Sequence, residues 1–178
     1  MNIVTQSKWQ ITPHKPDRKR AGLIPTLFIK GIKFYIFAID ARTGDLIDFG
    51  GHFEAETDQD LIDTCIRECY EESYGVFGEI KRGDLEKSIV LHTDRNFEFL
   101  WPVGVVEGGG EGNNFDIDFQ KYLDLFHTYP PSDETDTFVL ISRWQLLTII
   151  DQQEKEEGGD IKIYDPVLES IVNNRSLI

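Results

Sequence analysis

The stretch from Thr57 to Tyr74 limits the folds open to this chain more than any other, because its pattern requires a helix with two unlike faces. Ile62, Ile66 and Cys69 recur at helical spacing and give an apolar stripe. Glu68, Glu71 and Glu72 stand at i, i+3 and i+4, so on a helix their carboxylates project from one side. Thr57 and Asp60 have the form of a capping box with Asp in place of Glu, and Gly75 or Gly78 can end the helix. Like charges this close repel. The acidic side is therefore either a solvated face carried at some cost or a seat for a divalent cation, for which hard oxygen ligands suit magnesium or manganese.

Around this helix the chain reads mainly as strands. Ala21 to Ile29 and Lys33 to Asp40 are β-branched and aromatic runs joined by Gly31 as a hairpin, and Thr43-Gly44-Asp45 makes a second turn. The pair Gly50-Gly51 allows backbone shapes or close approach that side chains would forbid. Ser88 to His92 and Phe97 to Val106 are strand-like, with Asp94-Arg95-Asn96 as the turn between them. The glycine-rich run from Glu107 to Asn114 lacks the Gly-Lys-Ser/Thr ending of a phosphate loop and reads as a plain loop. Phe119, Tyr122, Leu123 and Phe126 place a helix over Phe115 to Tyr129, which Pro130 and Pro131 stop. A strand from Thr137 to Trp144, a helix from Gln145 to Gln153, and a last helix capped at Asp165-Pro166 and running to about Asn173 complete the chain. Strands first, then helices mixed with strands, imply an α/β layered fold with a mixed sheet. The length of 178 residues, with no internal repeat or compositional break, fits one domain over 1–178 with a polar leader at 1–18.

Charge and composition narrow the function. A formal charge of −14 disfavours broad adhesion to nucleic-acid phosphates, which needs a basic surface to displace counterions. Lys15, Arg18, Lys19 and Arg20 form the one dense basic run, either a solvated entry to the first strand or a local grip on phosphate. No apolar run is long enough to span a bilayer, and Met1 to Trp9 lacks a charged start followed by an apolar stretch, so an intracellular, cytoplasmic location is expected. Cys65 and Cys69 share one helical face as reduced, half-buried thiols, and no further ligands surround them to complete a zinc site.

The glycine pair and the acidic helix together resemble the Nudix family. Its box runs glycine, five residues, glutamate, seven residues, then Arg-Glu-aliphatic-any-Glu-Glu-any-Gly. Gly50 with five residues to Glu56 is similar to the first half, and Arg67-Glu68-Cys69-Tyr70-Glu71-Glu72 to the second, within a box of about 50–75. Ten residues separate Glu56 from Arg67 here, and the closing glycine comes one position late at Gly75. Three extra residues are nearly one helical turn, which a longer first turn absorbs. Ser142-Arg143-Trp144-Gln145 looks like the family's late strand, whose tryptophan leads into a helix, and Glu134, with Asp133 and Asp136 as rivals, stands where a loop often supplies a further glutamate. The fold this implies is an α/β/α sandwich with a central mixed β-sheet.

By the resemblance, Glu68, Glu71 and Glu72 bind magnesium, with manganese as a substitute and a carbonyl of Gly50 or Gly51 as a further ligand. Arg67 pairs with one of these glutamates and holds its rotamer, and a carboxylate from the box or Glu134 takes the proton from water. Glu56 is a further candidate. The activity implied is cleavage of a diphosphate linkage in a nucleoside diphosphate joined to another moiety. Lys19-Arg20-Ala21 is similar to the diphosphoinositol branch, where basic residues grip phosphates, and capped RNA is another substrate of the family. A Nudix-fold module that senses a nucleotide or binds a protein without turnover is the alternative of another class. Relatives commonly dimerise, so a homodimer is in keeping with the resemblance.

Overall fold

Alternation along the strands sorts apolar side chains to two sides of one sheet, and each side recruits its own helices. The computed structural model describes residues 19–103, 115–156 and 159–178, and the side chains of all of these except 115–118. The basic residues Lys15 and Arg18, the glycine-rich run 107–114 and the expected strand end at 104–106 lie outside the described residues.

Strands β1 (Arg20–Ile29) and β2 (Ile32–Asp40) form the expected hairpin, with Gly31 at φ 80° in the turn. The short β3 (Leu46–Ile47) pairs with β2, and β4 (Phe49–His52) pairs with the first half of β1. Strands β5 (Ile89–His92) and β6 (Asn96–Pro102) make a second hairpin, and β6 runs parallel to β1. β7 (Thr135–Ser142) lies antiparallel to β2. The described strands thus form one mixed seven-stranded sheet.

On β1, Ala21, Leu23 and Leu27 face one core while Ile24 faces the other; on β2, Ile36 and Ala38 oppose Tyr35 and Phe37. The first core is closed by α1 (Leu61–Ser73), α2 (Arg82–Leu85) and α3 (Phe115–Phe126) through Ile62, Cys65, Leu85 and Phe126. The second is closed by α4 (Arg143–Glu154) and α5 (Asp165–Asn173) through Leu146, Ile150, Val167 and Ile171. Helices on both faces of a mixed sheet are the α/β/α layering that the family resemblance implies. Among the described residues no helix is long and apolar enough to cross a membrane.

Several boundaries differ from expectation. Helix α1 is capped by Asp60, whose carboxylate accepts from the amides of Ile62 at 3.0 Å and Asp63 at 3.2 Å, and Thr57 stays in the preceding loop. Asp wins here because Arg82 pairs with the same carboxylate and fixes it at the helix start. Ser142 ends β7 and caps α4 in a reciprocal box with Gln145, so Trp144 lies in the first helical turn, 75% exposed, rather than in a strand. Tyr164 occupies the cap position of α5 and Asp165 is already helical beside Pro166. Cys65 and Cys69 are free thiols, fully buried rather than half-buried, because the apolar stripe of α1 packs directly on the sheet.

Candidate active site

Strand β4 and helix α1 approach more closely than ordinary side chains permit. A methyl on Gly51 would collide with the Glu68 carboxylate, and one on Gly50 would collide with Asp48 and with the backbone of Gly22 and Ala21. The glycine pair therefore serves close approach rather than an unusual backbone shape. That approach lets the Gly50 amide donate to the Glu72 carboxylate at 3.0 Å and sets Glu68 against Gly51.

Arg67 fixes the front of this arrangement. Its guanidinium donates to both oxygens of Asp58 at 2.9 Å, to Glu68 at 2.9 Å, to Glu71 at 3.2 Å and to the His52 carbonyl at 3.0 Å. The fork-to-fork pair with Asp58 ties the loop before α1 to the helix, and Thr64 completes Asp58 with a hydroxyl at 2.9 Å. Burial works against charge on Asp58, but the bonds from Arg67, the Glu54 amide and Thr64 outweigh it and hold its carboxyl below the usual value.

Arg20 fixes the back. It is buried, reaches both oxygens of Asp48, donates to Glu98 and Asn96 at 3.1 Å each, and donates to the Gly50 carbonyl at 3.0 Å. Asp48 sits where the chain leaves β3, paired with β2, and enters β4, paired with β1. Asn96 carries the network on to α5, donating to the Pro166 carbonyl at 2.8 Å and the Ser170 hydroxyl at 2.9 Å. Burial, followed by the nearby Asp48 carboxylate, pushes the Glu98 carboxyl well above the usual range.

Between these networks lies a cleft of about 510 Å3. Its floor carries Arg20, Gly50, Gly51, Glu68 and Glu72, and its rim includes Glu54, Glu134, Arg42 and Tyr164. Burial, then the Asp48 carboxylate, pushes the Glu72 carboxyl up to about 9, against the pull of Arg20 and the Gly50 amide. Burial also raises Glu68, against the pull of Arg67. Two further hollows, one beside Phe28 and Trp101 and one beside Tyr70 and Glu71, do not bring two of the box glutamates together.

The structure thus separates the expected site residues. Glu68, Glu72, Gly50, Gly51 and Glu134 meet at one cleft, and neither Asp133 nor Asp136 lines it. Glu71 turns away beside Arg67 with a side chain 57% exposed. Glu56 is exposed and outside the cleft, and Arg67 pairs with Asp58 of the loop as well as with Glu68 and Glu71. Arg20 does not reach outward, because Asp48 and Glu98 hold its guanidinium at the back of the floor. Lys19 contributes its carbonyl to the Phe53 amide at 3.0 Å, and its side chain does not line the cleft. Sequence reasoning missed Asp48, Asp58 and Glu98. The one available signal was an aspartate two positions before the glycine pair, too common to stand out.

Among the described residues no three His, Cys, Asp or Glu side chains are arranged to hold a metal ion. The donors that do face the cleft fit a smaller demand. Magnesium is commonly held by one or two carboxylates together with waters and substrate phosphates, and Glu68 and Glu72 are two partly buried carboxylates whose proton affinity burial raises.

No family model matches the chain, and no curated protein matches it. Among solved structures it is similar to a C. elegans Ap4A hydrolase in a binary complex, at 13% identity over 90% of this chain and 99% of that one, with a TM-score of 0.47. It is similar also to the NUDIX domain of Shewanella oneidensis NrtR complexed with ADP ribose, at 10% identity over 98% and 100%, with a TM-score of 0.46.

Proposed function

We propose that this chain is a magnesium-dependent Nudix-type hydrolase that cleaves the diphosphate linkage of a nucleoside diphosphate joined to another moiety. The observation that carries the reading is the meeting of Glu68, Glu72, Gly50, Gly51 and Glu134 at one cleft, with Arg67 locking the glutamate helix to the glycine strand. Glu68 and Glu72 would hold magnesium, which supplies charge neutralisation at the diphosphate oxygens when bound. Arg67 fixes the Glu68 rotamer through its 2.9 Å bond and prevents the carboxylate from swinging into solvent. The Gly50 amide sets Glu72 in the same way at 3.0 Å. Glu134, on the rim, takes the proton of the attacking water at its carboxylate. The inward turn of Arg20 withdraws the phosphate grip on which a diphosphoinositol substrate depended.

The test is product release from a panel of diphosphates with magnesium, read by chromatography for the wild type, Glu72→Gln and Glu134→Gln. Each variant is expected to lose on the order of 10²-fold in kcat while retaining the wild-type melting temperature. A wild type that binds no magnesium and cuts no member of the panel overturns the proposal. The commitment of both Glu68 and Glu71 to Arg67 favours one second reading, a module that binds a nucleotide without turnover. Calorimetry separates the two: nucleotide binding that is independent of magnesium and yields no product selects the module.

A further inference from the structure

An aromatic ring and an arginine on the cleft rim are not used by the chemistry above. Tyr164 precedes α5 and is held by its backbone, its amide donating to the Leu46 carbonyl at 2.9 Å. The helix behind it is fastened to the cleft floor through Asn96. The Arg20 guanidinium lies over the Tyr164 ring, 5.5 Å from its centre, yet the residue remains 40% exposed and lines the cleft. A ring backed by a planar cation, fixed through its main chain and open to a cleft, is a stacking platform.

Arg42 completes the rim. It sits on the turn after β2, where the Asp40 carboxylate accepts from the amides of Arg42 and Thr43 at 2.8 Å each. The Ala41 amide donates to the Glu134 carbonyl at 2.9 Å, so the turn is pinned beside the proposed proton acceptor. The Arg42 guanidinium makes no ion pair among the described residues, in contrast to Arg20 and Arg67. A free planar fork at the rim of an acidic cleft suits a phosphate, which it can meet with two parallel bonds.

We infer that Tyr164 stacks the nucleobase of a nucleotide ligand and that Arg42 grips the phosphate beside it, so that Tyr164 selects a nucleoside diphosphate over a base-free diphosphate and Arg42 strengthens the hold on either. This rests on reading the cleft as a diphosphate site, and it adds the moiety recognised at the far end. Aromatic stacking of a base is sequence-tolerant, so the platform selects for the presence of a base rather than for its identity.

The test uses equilibrium binding to the whole protein with magnesium, with ADP and inorganic pyrophosphate as the two probes. Tyr164→Ala is expected to weaken ADP about tenfold and leave pyrophosphate unchanged, while Tyr164→Phe binds both as the wild type does. Arg42→Ala is expected to weaken both probes, and Arg42→Lys to recover only part of the loss. Equal ADP affinity in the wild type and Tyr164→Ala overturns the inference, as does a parallel loss of both probes in Tyr164→Ala. Base-dependent binding through Tyr164 without cleavage of any diphosphate would sustain the platform and sink the proposed hydrolysis.

Discussion

Arg20 and Arg67 both donate to carbonyls of β4, one at Gly50 and the other at His52, yet they do so in opposite surroundings. The side chains of Asp48 and Glu98, which Arg20 pairs with, are both at 0% exposure. Arg67 is itself 19% exposed, and its partners range from nearly buried Asp58 to half-open Glu71. Charges deep in the fold cost several kcal/mol each to desolvate and become severe liabilities once a partner is removed, whereas the same bonds near solvent are worth little. The rear network therefore governs whether β1 and β4 stay together, and the front network governs how the glutamates are aimed.

The largest expected effect breaks the rear network. Arg20→Ala leaves two buried acids without their cation and should destabilise the protein by about 3 to 5 kcal/mol, read from denaturant unfolding. A loss below about 1 kcal/mol would mean that water reaches Asp48 and Glu98 and that the two networks do not differ. Next in size is a contrast within the glycine pair. Gly50→Ala pushes a methyl into the backbone of β1 and should cost about 1 to 3 kcal/mol. Gly51→Ala meets the Glu68 carboxylate first, at the end of a side chain rather than at backbone, and should leave the melting temperature nearly unchanged while lowering kcat on the order of 10²-fold through misplacement of that carboxylate. Equal stability losses at the two positions would refute the division.

In the front network, Asp58→Asn should cost about 1 to 2 kcal/mol, since it weakens a charge-assisted pair between nearly buried Asp58 and partly exposed Arg67. Glu56→Gln should change stability by less than about 0.5 kcal/mol, because it lies exposed and outside the cleft. A reversal of that order would mean that Glu56, not Asp58, ties the loop to Arg67. The smallest effect is in acid. The Asp58 carboxyl is held below its usual value of 3.8, so its contribution is fully present above that pH and is lost as pH falls through the lower folded value. Unfolding measured between neutral pH and pH 3 should show a shallower acid limb in Asp58→Asn than in the wild type.

How far these features could be read in advance depended on how local their causes are. The hairpin over Ala21 to Asp40 and the two faces of α1 were legible because side-chain alternation and helical spacing are carried by neighbours in the chain. The helix cap was misplaced because Thr57, Asp58 and Asp60 all offer a capping oxygen, and the choice was made by Arg82, a residue 22 positions from Asp60. The additional partner of Arg67, Asp58, is not legible in the sequence for a similar reason. Glu54, Glu56 and Asp58 alternate before α1, and only the path of the loop brings Asp58 under the guanidinium. Glu71 was grouped with Glu68 and Glu72 because spacing puts all three on one side of a helix, but a side of a helix is wider than a cleft.

By itself, the sequence determined that a glycine pair and a helix bearing Arg67, Glu68 and Glu72 would exist, since periodicity and glycine content act within a few residues. Only the tertiary structure decided which of those carboxylates share a cleft, that Arg20 serves the interior rather than a ligand, and that Tyr164 and Arg42 stand on the same rim as Glu134. Those outcomes depend on residues far apart in the chain, which the sheet's pairing and the balance between desolvation and ion pairing bring together.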